Sequence, residues 1–397
     1  MDQPIKIKED VYWIGSLDPG LVIFDIVIPT KHGTTYNSYL VRGEKIAVID
    51  TVKAYCVDDF ISKIRSLVRP EDIDYIIINH TEPDHSGGLI RLMELAPKAI
   101  PVFSRGARTF VKNILHKEFD YKEVKDGDSI DLGGKVLKFI SAPFLHWPDT
   151  MFTYLETDKI LFPCDAFGAH YCSDKRFNDE LDSKEDAFSA YGFYYDTILR
   201  PFKKHVMSAL DNIKDIDIEI IAPSHGPILR ENLEKYIDAY REWSGKTKKY
   251  PDKKKIAIIY VSAYGSTKRM AESIYRGACL PGTDVSLLNA AEIDMETLLD
   301  EIDTSDEIIL GTPTLNAKAP KPIFDIISSL VTLNIRGKAA AVFGCYGWGG
   351  EAVQIIEDIL KSLRFKIVAE GCKLRMIPSE ESLKECEEFG RKCASAI

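Results

Sequence analysis

The sequence predicts an α/β protein of two units in tandem: a strand-heavy first half, and a second half built as a doubly wound parallel sheet. Three observations predict this. Short apolar runs crowd the first 230 or so residues, with helical patterns between some of them. The stretch Ser244–Lys254 then turns polar and basic, as a connection between domains does. After it the pattern becomes a strict alternation of strand and helix. The reading is a first domain over 1–248, a linker over 249–254 and a second domain over 255–397.

Composition narrows the function before any motif does. The chain has 397 residues, a formal net charge of −10 and eight cysteines with no C-x-x-C pair. The acidic balance argues against a nucleic-acid or anionic-membrane surface, which calls for a basic patch. The start has no apolar leader, and no apolar run is long enough to span a bilayer. The expectation is a cytoplasmic protein with reduced thiols.

In the first half, Leu21–Phe24, Asn37–Val41 and Lys45–Asp50 read as strands, and Tyr39–Val41 with Ile46–Ile49 as a hairpin. Asp58–Val68 reads as a helix and Tyr75–Ile78 as a buried strand. Ile100–Phe103 and Ala107–His116 follow as strand and helix, then a hairpin over Asp128–Ala142 turning at Gly133-Gly134. Ile160–Phe162 and Ile218–Ala222 are further strands.

The chemistry gathers where strands end. After Tyr75–Ile78 comes Asn79-His80-Thr81-Glu82-Pro83-Asp84-His85-Ser86, ahead of an apolar helix at Leu89–Leu95. Four metal-competent side chains in six residues, His80, Glu82, Asp84 and His85, exceed what one closed site needs. His146, Asp165 and His225 each follow a strand further on. Singly, a His in an apolar setting is more often a packed core residue, and an Asp after a strand a turn residue. Repeated at four places, the pattern reads as two metals sharing seven ligands. Asp165 is the natural bridge, since a carboxylate has two oxygens.

In the second half the strands are Ile256–Val261, Asp284–Leu288, Glu307–Leu310, Ala339–Phe343 and Lys366–Ala369, with the helix Glu380–Ser395 after the last. Ligand loops of such a sheet lie beyond the carboxyl ends of its strands. Three candidates stand there: Ser262-Ala263-Tyr264-Gly265-Ser266-Thr267, then Pro313-Thr314-Leu315-Asn316, then Tyr346-Gly347-Trp348-Gly349-Gly350. The first joins hydroxyls to a helix N-terminus, which suits a phosphate. There is no Walker A motif and no G-x-G-x-x-G, so a nucleoside triphosphate or NAD is disfavoured. Tyr346 and Trp348 can flank an aromatic ring.

These residues carry a resemblance. The first half is similar to the metallo-β-lactamase fold, an αββα sandwich, whose usual H-x-H-x-D-H here reads H-x-E-x-D-H. The carboxylate in place of an imidazole moves the site from zinc towards iron. The three later loops resemble the FMN site of a flavodoxin-like domain. Together the chain looks like a flavodiiron protein from end to end. That resemblance implies a non-haem diiron site, with His80, Glu82 and His146 on one iron, Asp84, His85 and His225 on the other, and Asp165 between them. It implies FMN as second cofactor and reduction of dioxygen to water, of nitric oxide to nitrous oxide, or both, as a scavenging activity. It also implies an external electron donor, rubredoxin or a reduced deazaflavin, and a head-to-tail homodimer or a tetramer. His170 and Tyr195 are candidates for a supporting role around the metals, and Cys164 reads as packing.

Overall fold

The computed structural model describes residues 3–246 and 248–397. Contacts divide the chain into two compact units, one ending at Gly245 and the other spanning Lys246–Ile397. The first strand of the second unit begins at Lys254, inside the segment read as linker.

The first unit is built on two sheets. One has seven strands in the order Ile5–Lys8, Val11–Trp13, Tyr39–Arg42, Ile46–Ile49, Tyr75–Ile78, Ile100–Ser104, Lys122–Val124. Its first four are antiparallel, including the expected hairpin, and the rest run parallel. The other sheet orders Ser129–Asp131, Val136–Ser141, Met151–Leu155, Ile160–Phe162 and Ile220–Ile221.

Alternation along the strands explains the layering. Trp13, Tyr39, Ile49 and Ile77 from one sheet share a core with Leu137, Phe139 and Phe162 from the other. The intervening residues Leu40, Val48, Ile76 and Ile78 turn outward to Phe60, Ile64, Leu92 and Val111 of the covering helices. On the far side Phe152, Tyr154 and Leu161 pack with Tyr191, Val206, Leu210 and Tyr240. The result is the expected αββα sandwich.

Topology positions the site. The strands ending at Ser141, Phe162 and Ile221 all point one way, because each of the last two is parallel to its predecessor or separated from it by one antiparallel strand. Met151 N donates to Asn79 O at 2.9 Å, and Asn37 N to Ser224 O at 2.8 Å, tying the two sheets at that edge. Four loops from distant parts of the chain therefore meet at one rim. Two local readings change. The strand read over Leu21–Phe24 is only Ile23–Phe24, in a small hairpin with Ile28–Pro29. The loop after Ile78 holds a helical turn of its own, Pro83–Ser86.

The second unit is a parallel sheet in the order Thr283–Asn289, Lys254–Tyr260, Glu307–Pro313, Ala339–Tyr346, Lys366–Ile367, or 2-1-3-4-5 in chain terms. That is the flavodoxin order. A further strand, Cys372–Arg375, was not expected; it pairs with the outer half of Ala339–Tyr346, Phe343 opposite Cys372. Helices Met295–Thr304, Lys321–Ser329 and Glu351–Ser362 cover one face, and Ser266–Ala278 and Glu380–Ser395 the other.

The last two helices touch backbone to backbone. A Cβ on Gly277 would lie 1.8 Å from Glu387 O, and one on Gly390 2.1 Å from Ile274 O. Gly277→Ala is expected to force them apart and to lower the unfolding free energy by about 1–3 kcal/mol, as overpacking does. Denaturant unfolding of the variant checks this.

Candidate metal centre and cofactor cleft

The metal loop begins at a braced residue. Asn79 donates its backbone N to Asp50 Oδ1 at 2.7 Å and its side-chain amide to Oδ2 at 3.1 Å, and accepts from Thr153 Oγ1 at 2.7 Å. Asp50 is buried, which pushes its pKa up to about 6. The turn Pro83–Ser86 then sets Asp84 and His85 on consecutive helical positions. The amides of His85 and Ser86 both donate to Glu82 O at 2.9 Å.

All seven expected metal residues come together. The ligand atoms of His80, Glu82, His146 and Asp165 lie within 4.8 Å of one another, and so do those of Asp84, His85 and His225. Asp165 faces both groups. Its Oδ2 is 3.7 Å from His80 Nε2 and from His146 Nε2; its Oδ1 is 3.1 Å from His85 Nε2 and 3.5 Å from His225 Nε2. Cys164 also lies close to His85 and Asp165, and Ser224 Oγ donates to its sulfur at 3.4 Å. Cys164 stands at a positive φ of 53°, a conformation that turns the chain sharply after Phe162 and presents Asp165 inward.

Neighbouring groups orient the imidazoles. His80 Nδ1 lies 3.2 Å from both oxygens of buried Asp149, which also accepts from Thr81 N at 2.8 Å and Thr81 Oγ1 at 2.7 Å. His225 Nδ1 donates to Thr35 O at 2.7 Å. In each ring this leaves Nε2 for the interior, the arrangement metal-bound histidines adopt. Asp149 is absent from the sequence reading; a lone acid after Pro148 looks like a turn residue.

Tyr194, not Tyr195, supports the centre. Its hydroxyl donates to Asp165 Oδ1 at 2.9 Å, while the Tyr195 hydroxyl pairs with Ser244 Oγ at 2.8 Å. Successive helical residues point about 100° apart, so only one of the two can face the metals. His170 does border the site: its ring lies 5.5 Å from that of His225, and Nδ1 sits 3.0 Å from Thr34 Oγ1. Burial pulls its pKa down to about 3, so it is neutral. His32 and His205 pack on Tyr171 and Phe144, and His116 ends a helix in the left-handed region.

Charge is the strongest test of what fits here. Burial alone would raise the carboxyl pKa values, yet the surrounding imidazoles hold Glu82, Asp84 and Asp165 below the usual range. Burial likewise opposes charge on His80, but Asp149 and Glu82 outweigh it and raise its pKa to about 10. The pocket thus demands positive charge. Both oxygens of Asp84, both nitrogens of His85, Asp165 Oδ2 and His225 Nε2 are buried without a hydrogen-bond partner. Buried polar atoms left unpaired are costly, and cations at these positions satisfy them. Only Glu82 and His146 are partly exposed, so solvent reaches the site from their side. Phe24 and Trp147, with ring centroids 4.4 Å from His170 and 5.1 Å from His80, cover other approaches.

In the second unit, a cleft of about 650 Å³ opens beyond the strands Lys254–Tyr260, Glu307–Pro313 and Ala339–Tyr346. Of the expected cofactor residues, Ala263, Tyr264, Ser266, Pro313–Asn316, Tyr346, Gly347 and Trp348 line it. Ser262, Gly265, Thr267, Gly349 and Gly350 do not. Ser262 Oγ accepts the amides of Gly265 and Lys268 at 3.1 and 3.2 Å, shaping the loop instead. Thr267 is buried against Cys345 Sγ at 3.1 Å. Gly265, at φ 85°, caps the helix Ser266–Ala278; with the Lys268 amide taken by Ser262, those of Ser266 and Thr267 remain for an anion. Tyr264 is 95% exposed and Trp348 85%, two bare aromatic faces on one cleft, a slot for a planar ring with a phosphate at its end. Cys345, just ahead of the third loop, also lines it, as do Met376 and Ile377, which were not foreseen and follow the unexpected strand.

Two outcomes are expected. Asp149→Ala should weaken metal affinity about 10- to 100-fold, as loss of such a partner does, in chelator competition, whereas Tyr195→Phe should leave it unchanged. A proton on His80 must leave before a metal binds. Since that proton is held from the ordinary 6.5 up to about 10, apparent metal affinity should rise with pH across this window. By the same sign, the stability His80 gives the metal-free fold is complete below pH 6.5 and lost as pH climbs through 10. Metal titrations and unfolding curves at several pH values measure both.

Comparison with known proteins agrees with the two sites. A family model described as ODP family beta lactamase matches residues 34–226, and the flavodoxin model matches 258–390. The flavo-diiron protein FprA2 of Clostridium acetobutylicum is 41% identical over 403 residues, covering 99% of each chain. The nitric oxide reductase of Moorella thermoacetica is 37% identical over 402 residues, covering 100% of each. Among solved structures, the rubredoxin oxygen:oxidoreductase of Desulfovibrio gigas aligns with a TM-score of 0.73 at 27% identity, over 99% of this chain and 98% of that one. With relatives this similar along their whole length, the chain belongs to the flavodiiron proteins.

Proposed function

We propose that this chain reduces a diatomic gas, dioxygen to water or nitric oxide to nitrous oxide, in a scavenging role. In this reading electrons pass from an external donor through FMN to two non-haem irons. His80, Glu82 and His146 would hold one iron, and Asp84, His85 and His225 the other, with Asp165 shared. The single observation behind the assignment is Asp165, buried with one oxygen turned to each group of imidazoles. When bound, the irons supply Lewis acidity and electrons to the gas, and the flavin converts between two- and one-electron transfer.

The protein's own part is positional. Asp149 and Thr35 O keep His80 and His225 in the tautomer that frees Nε2. The Tyr194 hydroxyl fixes Asp165 and places a proton against its Oδ1. Phe24 and Trp147 limit water, while the partly exposed Glu82 and His146 mark where a small gas reaches the centre.

The donor in this reading is a small redox protein such as rubredoxin, or a reduced deazaflavin. The assembly in this reading is a head-to-tail homodimer, or a tetramer made of two such dimers, because a connection joins the two units and does not oblige one chain's flavin to serve its own irons. Bare apolar side chains in both units support an interface: Val22, Ile26 and Val27 near Phe24, and Tyr264, Trp348 and Ile377 at the cleft.

The test is reduction under anaerobic conditions followed by one gas at a time. The expected result is reoxidation far faster than free flavin, with two irons per chain, and loss of that rate in Asp165→Ala together with its iron. Two zincs and no iron would favour a hydrolase; no rate above free flavin would favour a plain electron carrier.

A further inference from the structure

Two cysteines outside both sites face each other. Cys372, on the strand Cys372–Arg375, has its Sγ 3.9 Å from that of Cys386, on the helix Glu380–Ser395. A bonded pair stands at about 2.05 Å, so closure needs a movement of roughly 2 Å. Cys386 is buried with Met270, Ile274 and Phe389. Cys372 is half-buried and opens onto a groove of about 550 Å³ lined by Glu385, Glu388, Arg391 and Lys392. Carboxylates and cations on one groove suit a small zwitterionic thiol or disulfide. The other nearby thiols are placed differently: Cys393 is buried two turns further along the same helix, and Cys345 faces the Thr267 hydroxyl.

We propose that Cys372 and Cys386 form a reversible intrachain disulfide, exchanging with small-molecule disulfides and thiols, and that closure is transmitted to the flavin cleft. Cys372 is the attacking thiol: the hydrogen bond with Cys386 holds it below the ordinary thiol range, and the groove exposes it. With oxidised glutathione, the Cys372 thiolate attacks one sulfur, the reagent's S–S bond breaks, and one glutathione leaves with the proton Cys372 gave up. Cys386 then loses its proton and attacks Cys372 Sγ, and the second glutathione leaves as thiol. Two protein thiols are oxidised, one reagent disulfide becomes two thiols, and both protons end on glutathione.

The path to the cleft is short. The strand leads directly into Met376, where the chain bends at φ 58°, and Ile377; both line the cleft. Met376 N donates to Tyr346 O at 2.8 Å, and Arg375 Nε to Gly347 O at 2.9 Å. The helix is seated tightly on Ser266–Ala278, Gly390 meeting Ile274 without room for a Cβ, whereas the strand lies at the sheet edge. Closure therefore draws the strand, and with it the lip of the cleft. This second half of the proposal rests on the flavin reading above; the disulfide itself does not.

The experiment treats the full-length holoprotein with oxidised glutathione in the absence of oxygen. Peptide mass spectrometry should find Cys372 linked to Cys386 and two thiols lost, restored by dithiothreitol. Cys386→Ser should trap glutathione on Cys372, whereas Cys372→Ser should show neither the link nor an adduct at Cys386; exposed Cys279 takes the adduct in every variant and shows that the reagent acted. FMN titrated into flavin-depleted protein should bind at least threefold more weakly to the oxidised form, and equally to both forms of Cys372→Ser. Absence of the 372–386 link, or a link to another cysteine, overturns the disulfide. A link with unchanged FMN affinity overturns the transmission. Failure of the reduced protein to bind FMN at all would instead count against the flavin reading.

Discussion

Buried negative charge governs the first unit. Glu82, Asp84, Asp149 and Asp165 share one largely dry space with His80, His85, His146 and His225. A carboxylate removed from water without a countercharge costs several kcal/mol. Without metal, only protons on the imidazoles can balance the set, which is why His80 holds its proton so far above its ordinary range. Two divalent cations do the same while leaving the imidazoles neutral. Much of the surrounding structure follows from keeping these groups apart from water and aimed inward: the braced Asn79, the single turn Pro83–Ser86, the positive φ at Cys164, and the hydrogen bonds from Tyr194 and to Thr35.

The αββα frame makes such a site possible because strand ends, unlike strand middles, can carry unpaired polar side chains. Bringing together ligands as far apart in sequence as His80 and His225 takes two sheets whose strands finish at one edge. The parallel sheet of the second unit applies the same geometry to a different ligand. Its strand ends hold loops whose backbone amides suit an anion and whose bare aromatic rings suit a flat cofactor. One chain thus uses the carboxyl edge of its sheets twice, once for hard cations and once for a flavin.

What could be read in the amino-acid sequence was whatever depends on local pattern. Tyr75–Ile78 and Ile160–Phe162 are strands where the apolar runs lie, and the alternation after residue 254 is a doubly wound sheet. The density of H-x-E-x-D-H carried the metal loop. What escaped depends on contacts between distant segments. Asp149 matters because it meets His80, a pairing no spacing predicts. The choice between Tyr194 and Tyr195 turns on the phase of a helix at its end, where both tyrosines are buried and both look alike in sequence. The strand Cys372–Arg375 alternates with charged residues after a glycine and has no β-branched side chain, so only its partner, Ala339–Tyr346, makes it a strand. Ser262 and Thr267 look alike by composition, but the Ser262 oxygen accepts two amides of its own loop while Thr267 is buried against Cys345, contacts that no spacing shows.

Asp165 would join two irons into one centre. Protein loaded with iron-57 and fully oxidised should show two irons per chain by Mössbauer spectroscopy and no signal from isolated high-spin ferric ions by electron paramagnetic resonance, because a shared carboxylate couples the two spins. Strong signals from two independent ferric ions, or a single iron per chain, would contradict the account.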